Sequence, residues 1–375
     1  MKTGQYIKQL KGGLEYRAFV PNTLPFNIHL NNELQTLLTR AHSALGRLDG
    51  VSEVVPDVDF FVRMYVNKEA TLSSQVEGTQ ATLADVLRAE AKIRESKGPS
   101  DVKEILNYIS AMNHGLKRLD EFPLSLRLIK EIHAILLKDA RGMEKMPGEF
   151  RTSQNWIGGT TINNAAFIPA PPQELSRLLD NFEKFLYDKL PIPFLLKIGI
   201  MHSQFENIHP FLDGNGRVGR LLITFYLCQQ KELSKPLLYL SAFFKKHRQE
   251  YYTRLHAVHE NDDIEGWLKF FLEGIIQTSG EAIETARKIL KLREEDTRKI
   301  AELGRVSKHA LTVLERLYRD PIITLKHIMA WTNLSKSNAY NLLQRLIKVG
   351  LLKFTGKTAT REKVYYYRKY YHLFD

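Results

Sequence analysis

Twelve consecutive residues carry the side chains that could do chemistry in this sequence: His209-Pro-Phe-Leu-Asp213-Gly-Asn-Gly-Arg217-Val-Gly-Arg220. A neutral imidazole such as that of His209 can take a proton from a hydroxyl near pH 7. Asp213 is suited to bind a Mg²⁺ ion that bridges phosphate oxygens. Arg217 and Arg220 are three residues apart, so both can point from one helix face toward one polyphosphate. This combination predicts a site for the phosphate chain of a nucleotide.

The segment after this motif must be a helix, because residues 221–230 are largely apolar and strongly helix-forming. Gly214, Asn215 and Gly216 therefore lie at a helix N-terminus, where free backbone N–H groups and the helix dipole favour an anion. The glycines at 214, 216 and 219 let the backbone approach phosphate oxygens without an intervening Cβ. We expect this loop to cradle phosphate groups.

Helical periodicity dominates the sequence from Asn32 onward and predicts a mainly α-helical fold. Before the C-terminal region the predicted helices are 32–48, 57–75, 83–95, 102–119, 125–137, 172–187, 193–207, 217–231, 245–258 and 264–303. Residues 143–172 differ because they are rich in Gly, Pro, Asn and Thr. They predict a loop that holds a short β-hairpin.

The pattern changes after Gly304, which closes the long helix and marks a domain boundary. The elements predicted beyond it are helices 307–319, 324–331 and 335–349, then strands 351–354 and 363–367. Three helices followed by a hairpin make a winged helix-turn-helix, whose third helix would read the major groove of DNA. We expect Thr324 and Ser335 to cap the second and third helices, and Gly350 to end the third.

Composition and charge narrow the class of protein. The 375 residues are 43% hydrophobic and 26% charged, which is typical of a soluble globular protein of two or three domains. The N-terminus lacks a signal-peptide core, apolar runs are too short to span a membrane, and the single Cys228 fits a reducing compartment. We therefore expect a cytoplasmic protein that is not membrane-bound.

The basic charge is concentrated at the C-terminal end. From Arg305 to Asp375 the sequence has 14 Lys and Arg against 4 Asp and Glu, so this segment carries +10 of the net charge of +12. Such asymmetry favours an acidic partner for the segment, with DNA the first candidate.

The motif resembles the signature of the Fic family, H-x-F-x-[D/E]-G-N-G-R-x-x-R, at every fixed position. Members of this family transfer AMP from ATP to a hydroxyl of a protein. The resemblance implies that His209 deprotonates the target hydroxyl, that Asp213 holds Mg²⁺, and that pyrophosphate leaves after attack on the α-phosphorus. The residues that it implies for ATP binding are Gly214, Asn215, Gly216, Arg217, Val218, Gly219, Arg220, Tyr252 and Glu77. The family's phosphorylating branch has lysine in place of Gly216, so glycine here favours nucleotidyl transfer.

A second segment, Ser73-Ser-Gln-Val-Glu77-Gly78, resembles the family's inhibitory motif, [S/T]-x-x-x-E-[G/N]. The resemblance implies that Glu77 pairs with Arg220 and occupies the side of Arg220 that binds the γ-phosphate. A bidentate carboxylate would remove the charge that this phosphate needs, so ATP would bind in a pose unsuited to in-line attack. Ser73 would support the helix end that carries Glu77.

Weaker similarities complete the expected architecture. The segment from Gly148 to Pro172 resembles the family's flap, a hairpin that holds the target segment by strand pairing. Tyr252 resembles an aromatic residue near the adenine. We expect an all-helical Fic core with a small β-hairpin flap and a C-terminal winged helix-turn-helix domain. The predicted divisions are an N-terminal helical region with the inhibitory helix over 1–100, the catalytic core over 101–290, a linker formed by the end of the long helix over 291–304, and the winged helix over 305–375.

Four readings of the function compete. The leading one is a protein adenylyltransferase that acts on Ser, Thr or Tyr of a target protein, or on itself, and is autoinhibited by Glu77. The same site could instead hydrolyse AMP from a modified protein, with Glu77 orienting water. A metal hydrolase would use His202, Glu206 and His209, but Pro210 turns the backbone away at that point and disfavours this reading.

The fourth reading is a DNA-binding regulator in which the Fic-like part senses a nucleotide. The basic residues that motivate it are Arg345, Lys348, Lys353, Lys357, Arg361 and Lys363. The C-terminal domain could equally mediate target docking or dimerisation, and exposed parts of the long helix could pair two chains in a homodimer.

Overall fold

The computed structural model describes residues 2–11, 13–54, 58–93, 101–138, 145–357 and 362–374. The helices are α1 (Asn32–Val54), α2 (Val58–Val76), α3 (Leu83–Glu90), α4 (Val102–Leu119), α5 (Leu126–Leu136), α6 (Pro172–Tyr187), α7 (Phe194–Ile208), α8 (Asn215–Gln229), α9 (Ser241–Lys246), α10 (Arg248–Glu260), α11 (Ile264–Ala301), α12 (Ser307–Leu317), α13 (Leu325–Thr332), α14 (Lys336–Lys348) and α15 (Arg368–Tyr371). The strands are β1 (Gly4–Lys11), β2 (Leu14–Pro21), β3 (Ile322–Thr324), β4 (Lys353–Lys357) and β5 (Lys363–Tyr366). The predicted mainly helical fold is confirmed.

The single helix predicted over 245–258 is wrong. The chain forms α9 and α10 instead, and they meet at His247, whose φ of −108° and ψ of 36° are not helical. The His247 ring packs on Phe243 with centroids 4.6 Å apart, which fixes the corner between the two helices. Residues 243 and 247 are four apart, which is also the spacing of neighbours on one helix face. Periodicity alone therefore predicts one continuous helix here.

The hairpin of β1 and β2 was not predicted. It is antiparallel, with Gly4 opposite Pro21 and Lys11 opposite Leu14. The sequence signal was the Gly-Gly pair at 12–13, which is typical of a tight hairpin turn between two strands. The polar composition of β1 obscured that signal.

The buried centre of the fold is the pair α7 and α8, which flank the motif loop. Both helices are buried around most of their circumference, as expected for helices enclosed by others. Trp267 of α11 is fully buried and donates its indole N–H to the carbonyl of Gly199 on α7, at 2.8 Å. A Cβ at Gly199 would lie only 2.7 Å from Leu268, so glycine permits this close packing. Truncating such a buried Trp typically costs about 3–5 kcal/mol of stability.

The predicted flap, residues 148–172, has few regular elements. The predicted short hairpin is present as one antiparallel bridge, in which Ile157 and Phe167 exchange both backbone hydrogen bonds at 2.8 and 3.1 Å. The outer edge of this bridge is joined to the N-terminal hairpin, because Phe19 of β2 donates its N–H to Ile168 at 2.9 Å. Residues 143 and 144 of the predicted loop lie outside the described ranges.

The C-terminal region contains the predicted helices and hairpin. Ser335 caps α14 by accepting the Asn338 N–H, and Gly350, with a φ of 76°, follows its end as expected. The short strand β3 was not predicted and gives a three-stranded sheet of order β3-β5-β4. The assignment of the C-terminal region as a winged helix, and the division of the chain into four segments, stay predictions from the sequence. Arg361 lies outside the described residues.

Contacts join this C-terminal region to the helical body. The Tyr367 hydroxyl donates to Asp296 of α11 at 2.6 Å, and Arg63 of α2 forms an ion pair with Asp320 at 3.6 Å. None of the helices in the described ranges combines the length and the apolar composition that crossing a bilayer requires.

Candidate active site

His209 ends α7 in a left-handed conformation, with a φ of 50° and a ψ of 60°. Its Nδ1 lies 3.2 Å from the carbonyl of Glu206, which can only accept, so Nδ1 carries the proton in the neutral ring. The other nitrogen, Nε2, is then a proton acceptor. Burial, with a contribution from the Arg151 guanidinium, lowers the pKa of His209 to about 4. The imidazole is therefore neutral at pH 7 and can act as a base.

The loop after His209 is fixed by a clamp within the motif. The Asn215 side chain accepts the Phe211 N–H at 2.9 Å and donates to the Phe211 carbonyl at 2.8 Å. Gly214 has a φ of 79°, and α8 begins at the next residue. The prediction that the Gly-Asn-Gly segment lies at a helix N-terminus is confirmed.

His133 of α5 lies beneath this loop and was not identified from the sequence. The Gly148 N–H donates to His133 Nδ1 at 2.8 Å, so the neutral ring carries its proton on Nε2, which donates to the Asp213 carbonyl at 3.0 Å. Burial lowers the pKa of His133 to about 4, and the ring stacks on Phe211 at a centroid distance of 3.7 Å. One side chain thus links the base of the flap to Asp213.

Arg151 holds the flap segment against the end of α7. This buried guanidinium donates to the carbonyls of His209 at 2.8 Å and Ala170 at 2.6 Å. Nearby, Asn155 donates to the Phe211 carbonyl at 2.8 Å. Burial lowers the pKa of Arg151 to about 10, but it stays charged at neutral pH. Its position at a helix C-terminus is electrostatically favourable.

Glu77 and Arg220, 143 positions apart in the sequence, form an ion pair with Oε1 and Nη2 2.7 Å apart. The expected bidentate pairing is wrong. Arg220 uses Nε to donate to the Ser73 hydroxyl at 2.8 Å, which leaves Glu77 a single contact. Ser73 therefore acts on Arg220 itself. Burial favours the protonated carboxyl, but the Arg220 guanidinium holds the pKa of Glu77 below its usual range.

The inhibitory segment leaves α2 through Gly78, whose φ of 101° is a conformation that favours glycine. Gly216 approaches Glu77 so closely that a Cβ at this position would lie 2.3 Å from Oε1 of the carboxylate. Glycine at 216 is thus required for the Glu77–Arg220 pair as it stands, in addition to any approach of phosphate.

Arg217 lies on the same side of α8 as Arg220, as predicted, but pairs with other acids. Its guanidinium is 3.6 Å from Glu104 and 3.6 Å from Asp213. Nε and Nη1 of Arg217 are buried and have no hydrogen-bond partner among the described residues. Buried guanidinium donors without acceptors are unusual and are the groups that an oxyanion would satisfy.

These residues line one cavity of about 600 Å³. The predicted site residues that line it are His209, Asp213, Gly214, Asn215, Gly216, Arg217, Arg220, Tyr252 and Glu77. Burial, strengthened by the nearby Glu77 carboxylate, raises the pKa of Glu206 in the wall to about 8. The flap residues Ile157 and Phe167 close one side.

Tyr252 and its neighbour Tyr251 point in different directions from α10. Tyr252 is half-exposed at the cavity, with Arg248 5.6 Å from its ring centroid. Tyr251 is buried beneath it, and its hydroxyl pairs with His202 Nε2 at 2.9 Å.

Two residues predicted for ATP binding do not line the cavity. Val218 is fully buried in the core, and a Cβ at Gly219 would lie 2.4 Å from Glu206 Oε1. The reason is helical rotation, which turns positions 218 and 219 inward while 217 and 220 face the cavity. Gly219 serves the packing of α8 against α7.

The metal-hydrolase reading is not supported by the side-chain contacts. His202 uses both ring nitrogens, with Nδ1 3.1 Å from the Gly219 carbonyl and Nε2 against Tyr251. Across the described ranges, no group of three or more His, Cys, Asp or Glu is arranged to hold a metal ion.

Comparison with known proteins identifies two matching segments. Residues 35–117 match the Fic/DOC family N-terminal region, and residues 123–227 match the Fic/DOC family. Proteins named protein adenylyltransferase Fic are similar over half of the chain, with 32% identity over 195 residues in Aedes aegypti and 31% over 197 in Culex quinquefasciatus. The aligned part spans 36% of the length of each of these relatives.

Solved structures show the same fold. A Fic family protein from Desulfovibrio desulfuricans G20 superposes with a TM-score of 0.61 at 18% identity, over 91% of this chain and 97% of that one. A Fic domain containing signalling protein from Bacteroides thetaiotaomicron superposes with a TM-score of 0.53 at 18% identity, over 68% of this chain and 97% of that one. Over the two matched segments, which together make up half of its length, this chain belongs to the Fic/DOC family.

Proposed function

We propose that this protein transfers AMP from ATP to a hydroxyl of a protein, and that Glu77 inhibits the transfer. The observation that carries the proposal is the Glu77–Arg220 ion pair in the cavity that also contains His209 and the N-terminus of α8. The names of the relatives over half of the chain support the same activity. The residues present supply a base, an anion site and a competing carboxylate within one cavity.

The chemistry follows from the charges in the cavity. His209 Nε2 accepts the proton of the target hydroxyl, whose oxygen bonds to the α-phosphorus. The bond from this phosphorus to the bridging oxygen breaks, and pyrophosphate leaves with the electron pair. The amides at the start of α8, together with Nε and Nη1 of Arg217, which lack hydrogen-bond partners among the described residues, stabilise the charge that develops on the phosphate oxygens.

Asp213 is the residue that would hold Mg²⁺. Its side chain is 41% exposed at the cavity, and one carboxylate at such a position suits an ion that keeps several waters and binds phosphate oxygens. Bound Mg²⁺ would neutralise phosphate charge. The His133 hydrogen bond to the Asp213 carbonyl orients the backbone from which this carboxylate projects.

Inhibition follows from competition for one guanidinium. Arg220 is almost fully buried, and Glu77 already occupies Nη2 while Ser73 occupies Nε. A γ-phosphate that approaches this arginine must displace the carboxylate or bind elsewhere. Without that anchor, the α-phosphorus is not held in line with the attacking oxygen.

The deciding experiment compares wild type, Glu77→Gly and the double variant Glu77→Gly, His209→Ala after incubation with ATP and Mg²⁺, by intact-protein mass spectrometry. We expect the mass of one AMP to be added in Glu77→Gly and to be absent when His209→Ala is combined with it. If no adduct forms on the protein itself, the comparison is repeated with an added target protein. Equal labelling of wild type and Glu77→Gly at saturating target would contradict the inhibition.

Removal of AMP is a second candidate function at the same site. The Glu77 side chain is 38% exposed and lines the cavity, so it could orient a water molecule for hydrolysis. AMP-modified protein would distinguish the directions. Loss of AMP removal in Glu77→Gly, alongside a gain of addition, would assign hydrolysis to the wild-type enzyme.

DNA binding by the C-terminal region is a candidate from a different class. The face of α14 that carries Tyr340, Arg345 and Lys348 is exposed, while its opposite face packs into the core. A gel shift at increasing salt tests it, since phosphate contacts make binding salt-dependent. Binding that is unchanged in an Arg345→Gln, Lys348→Gln variant would exclude groove reading by α14.

The cytoplasmic location and the homodimer stay predictions.

A further inference from the structure

One face of α10 extends the cavity beyond the phosphate loop. Tyr252, Leu255, His256 and His259 all line it, at the spacing of one helical stripe. From Tyr252 to His259 the helix rises roughly 10 Å, at about 1.5 Å per residue. Phe167 of the flap lies over the far end, with its ring centroid 4.1 Å from that of His259. The cavity is therefore long enough to extend well past the phosphate site along this face of α10.

The polar groups at the far end are His256 and His259, whose ring centroids lie 4.6 Å apart. The N-terminal hairpin determines which ring nitrogen of His259 carries the proton. The Tyr6 hydroxyl of β1 donates its single proton to the Glu260 carboxylate, which can only accept. The Tyr6 oxygen must therefore accept from His259 Nδ1, which lies 3.0 Å away. Burial, and to a smaller extent the neighbouring His256, lower the pKa of His259 to about 4, so the ring is neutral at pH 7.

A neutral imidazole with its proton on Nδ1 has an unprotonated Nε2. Within the part of the chain that the structure describes, no residue donates to this nitrogen. His259 is also held by apolar rings, since Phe19 of β2 lies 5.5 Å from it between centroids. The N-terminal hairpin thus sets both the position and the tautomer of His259.

We infer that His259 reads the base of the nucleotide, by accepting a hydrogen bond at Nε2 from the exocyclic amine of adenine. The inference rests on the proposed function, because it needs a nucleotide in this cavity. Adenine presents an amine donor at its sixth position, whereas guanine presents a carbonyl acceptor there. Two acceptors cannot pair, so the fixed tautomer selects adenine. Tyr6 is a positioning residue that acts through His259.

The test compares the binding of ATP, purine riboside triphosphate and GTP by titration calorimetry. Purine riboside triphosphate has the shape of ATP but lacks the amine. The protein is the full chain with Glu77→Gly, so that the inhibitory carboxylate does not obscure binding. We expect the analogue to bind about three- to tenfold more weakly than ATP, as one hydrogen bond would give, and GTP at least as weakly.

Two variants in the same background locate the effect. His259→Phe keeps the ring packing and is expected to bring the ratio of ATP to analogue affinity close to one. Tyr6→Phe removes only a hydroxyl and frees the tautomer, so the ratio should fall part of the way. Tyr16→Phe, in the neighbouring strand of the same hairpin, is the matched control and should leave the ratio unchanged. The melting temperature of each variant verifies that it is folded.

The outcomes separate this inference from the proposed function. Base reading is overturned if the ratio of ATP affinity to analogue affinity is the same with His259 and with His259→Phe, even if ATP binds and AMP is transferred. The inference also fails if ATP and the analogue bind equally before any change at 259. If none of the three nucleotides binds, both the inference and the proposed function fail.

Discussion

Substitution of Glu77 tests whether inhibition is competition for a charge. The contact between Glu77 Oε1 and Arg220 Nη2, at 2.7 Å, is a charge-assisted hydrogen bond to a guanidinium that is 2% exposed. Such bonds contribute about 1.5–3 kcal/mol, and partial exposure of Glu77 reduces this to about 1–2 kcal/mol. Because 1.4 kcal/mol is a factor of ten, Glu77→Gly should strengthen ATP binding by about 5- to 30-fold.

Glu77→Gln separates the charge from the volume of the side chain. The glutamine oxygen can still accept from Arg220 Nη2, but a neutral acceptor contributes about half as much. We therefore expect a gain in ATP affinity of about two- to fivefold, between wild type and Glu77→Gly. Glu294→Gln, on the exposed face of α11, is the matched control and should change nothing.

Calorimetric titration with ATP and with ADP is the assay. ADP has no γ-phosphate and does not compete with Glu77, so its affinity should stay constant across the series. An equal gain for ADP and ATP would refute the reasoning, because Glu77 would then restrict access to the cavity generally. Full activation by Glu77→Gly with none by Glu77→Gln would show that volume, not charge, is inhibitory.

Three further predictions concern the groups that hold the site together. His133→Phe keeps the stacking but leaves the Gly148 N–H without its acceptor, so the free energy of unfolding should fall by about 1–3 kcal/mol and the Mg²⁺ concentration for half-maximal activity should rise; an unchanged Mg²⁺ requirement would argue against its positioning role. Arg151→Gln removes several buried hydrogen bonds to carbonyls and should cost about 3 kcal/mol in denaturant unfolding, whereas a loss below about 1 kcal/mol would contradict the role given to it. Burial lowers the pKa values of His202 to about 3 and His209 to about 4. Below a pH of about 6.5 the unfolded chain therefore binds more protons than the folded protein does. Each of the two histidines should lower the free energy of unfolding by roughly 1.4 kcal/mol per pH unit, down to its folded pKa. Denaturant unfolding between pH 7 and 5 checks this, and the slope should decrease in His209→Ala.

The sequence alone was sufficient for the motif loop, because its structure is set locally. Gly214 provides the left-handed turn, Asn215 clamps the loop through a residue four positions away, and the apolar run that follows forms α8. The helical class was predictable for the same reason, since apolar residues recur in each segment with the 3.6-residue period of a helix.

Contacts between distant segments were decided by the tertiary structure. His133 beneath Asp213, Arg151 at the end of α7, and Tyr6 behind His259 make hydrogen bonds across 80, 58 and 253 positions, and no local pattern marks them. Their residue types are common on helices and strands, so only the packing of elements shows their partners.

The Glu77–Arg220 pair was predicted in part from the sequence and decided in part by the tertiary structure. A resemblance over six residues was enough to expect the pair, but not its geometry. Ser73 takes Nε of Arg220, and the absence of a Cβ at Gly216 leaves room for the carboxylate. Likewise, only the rotation of α8 within the fold turned Val218 and Gly219 away from the cavity. Local sequence sets backbone conformation over a few residues, whereas the direction and partner of each side chain depend on how the elements pack.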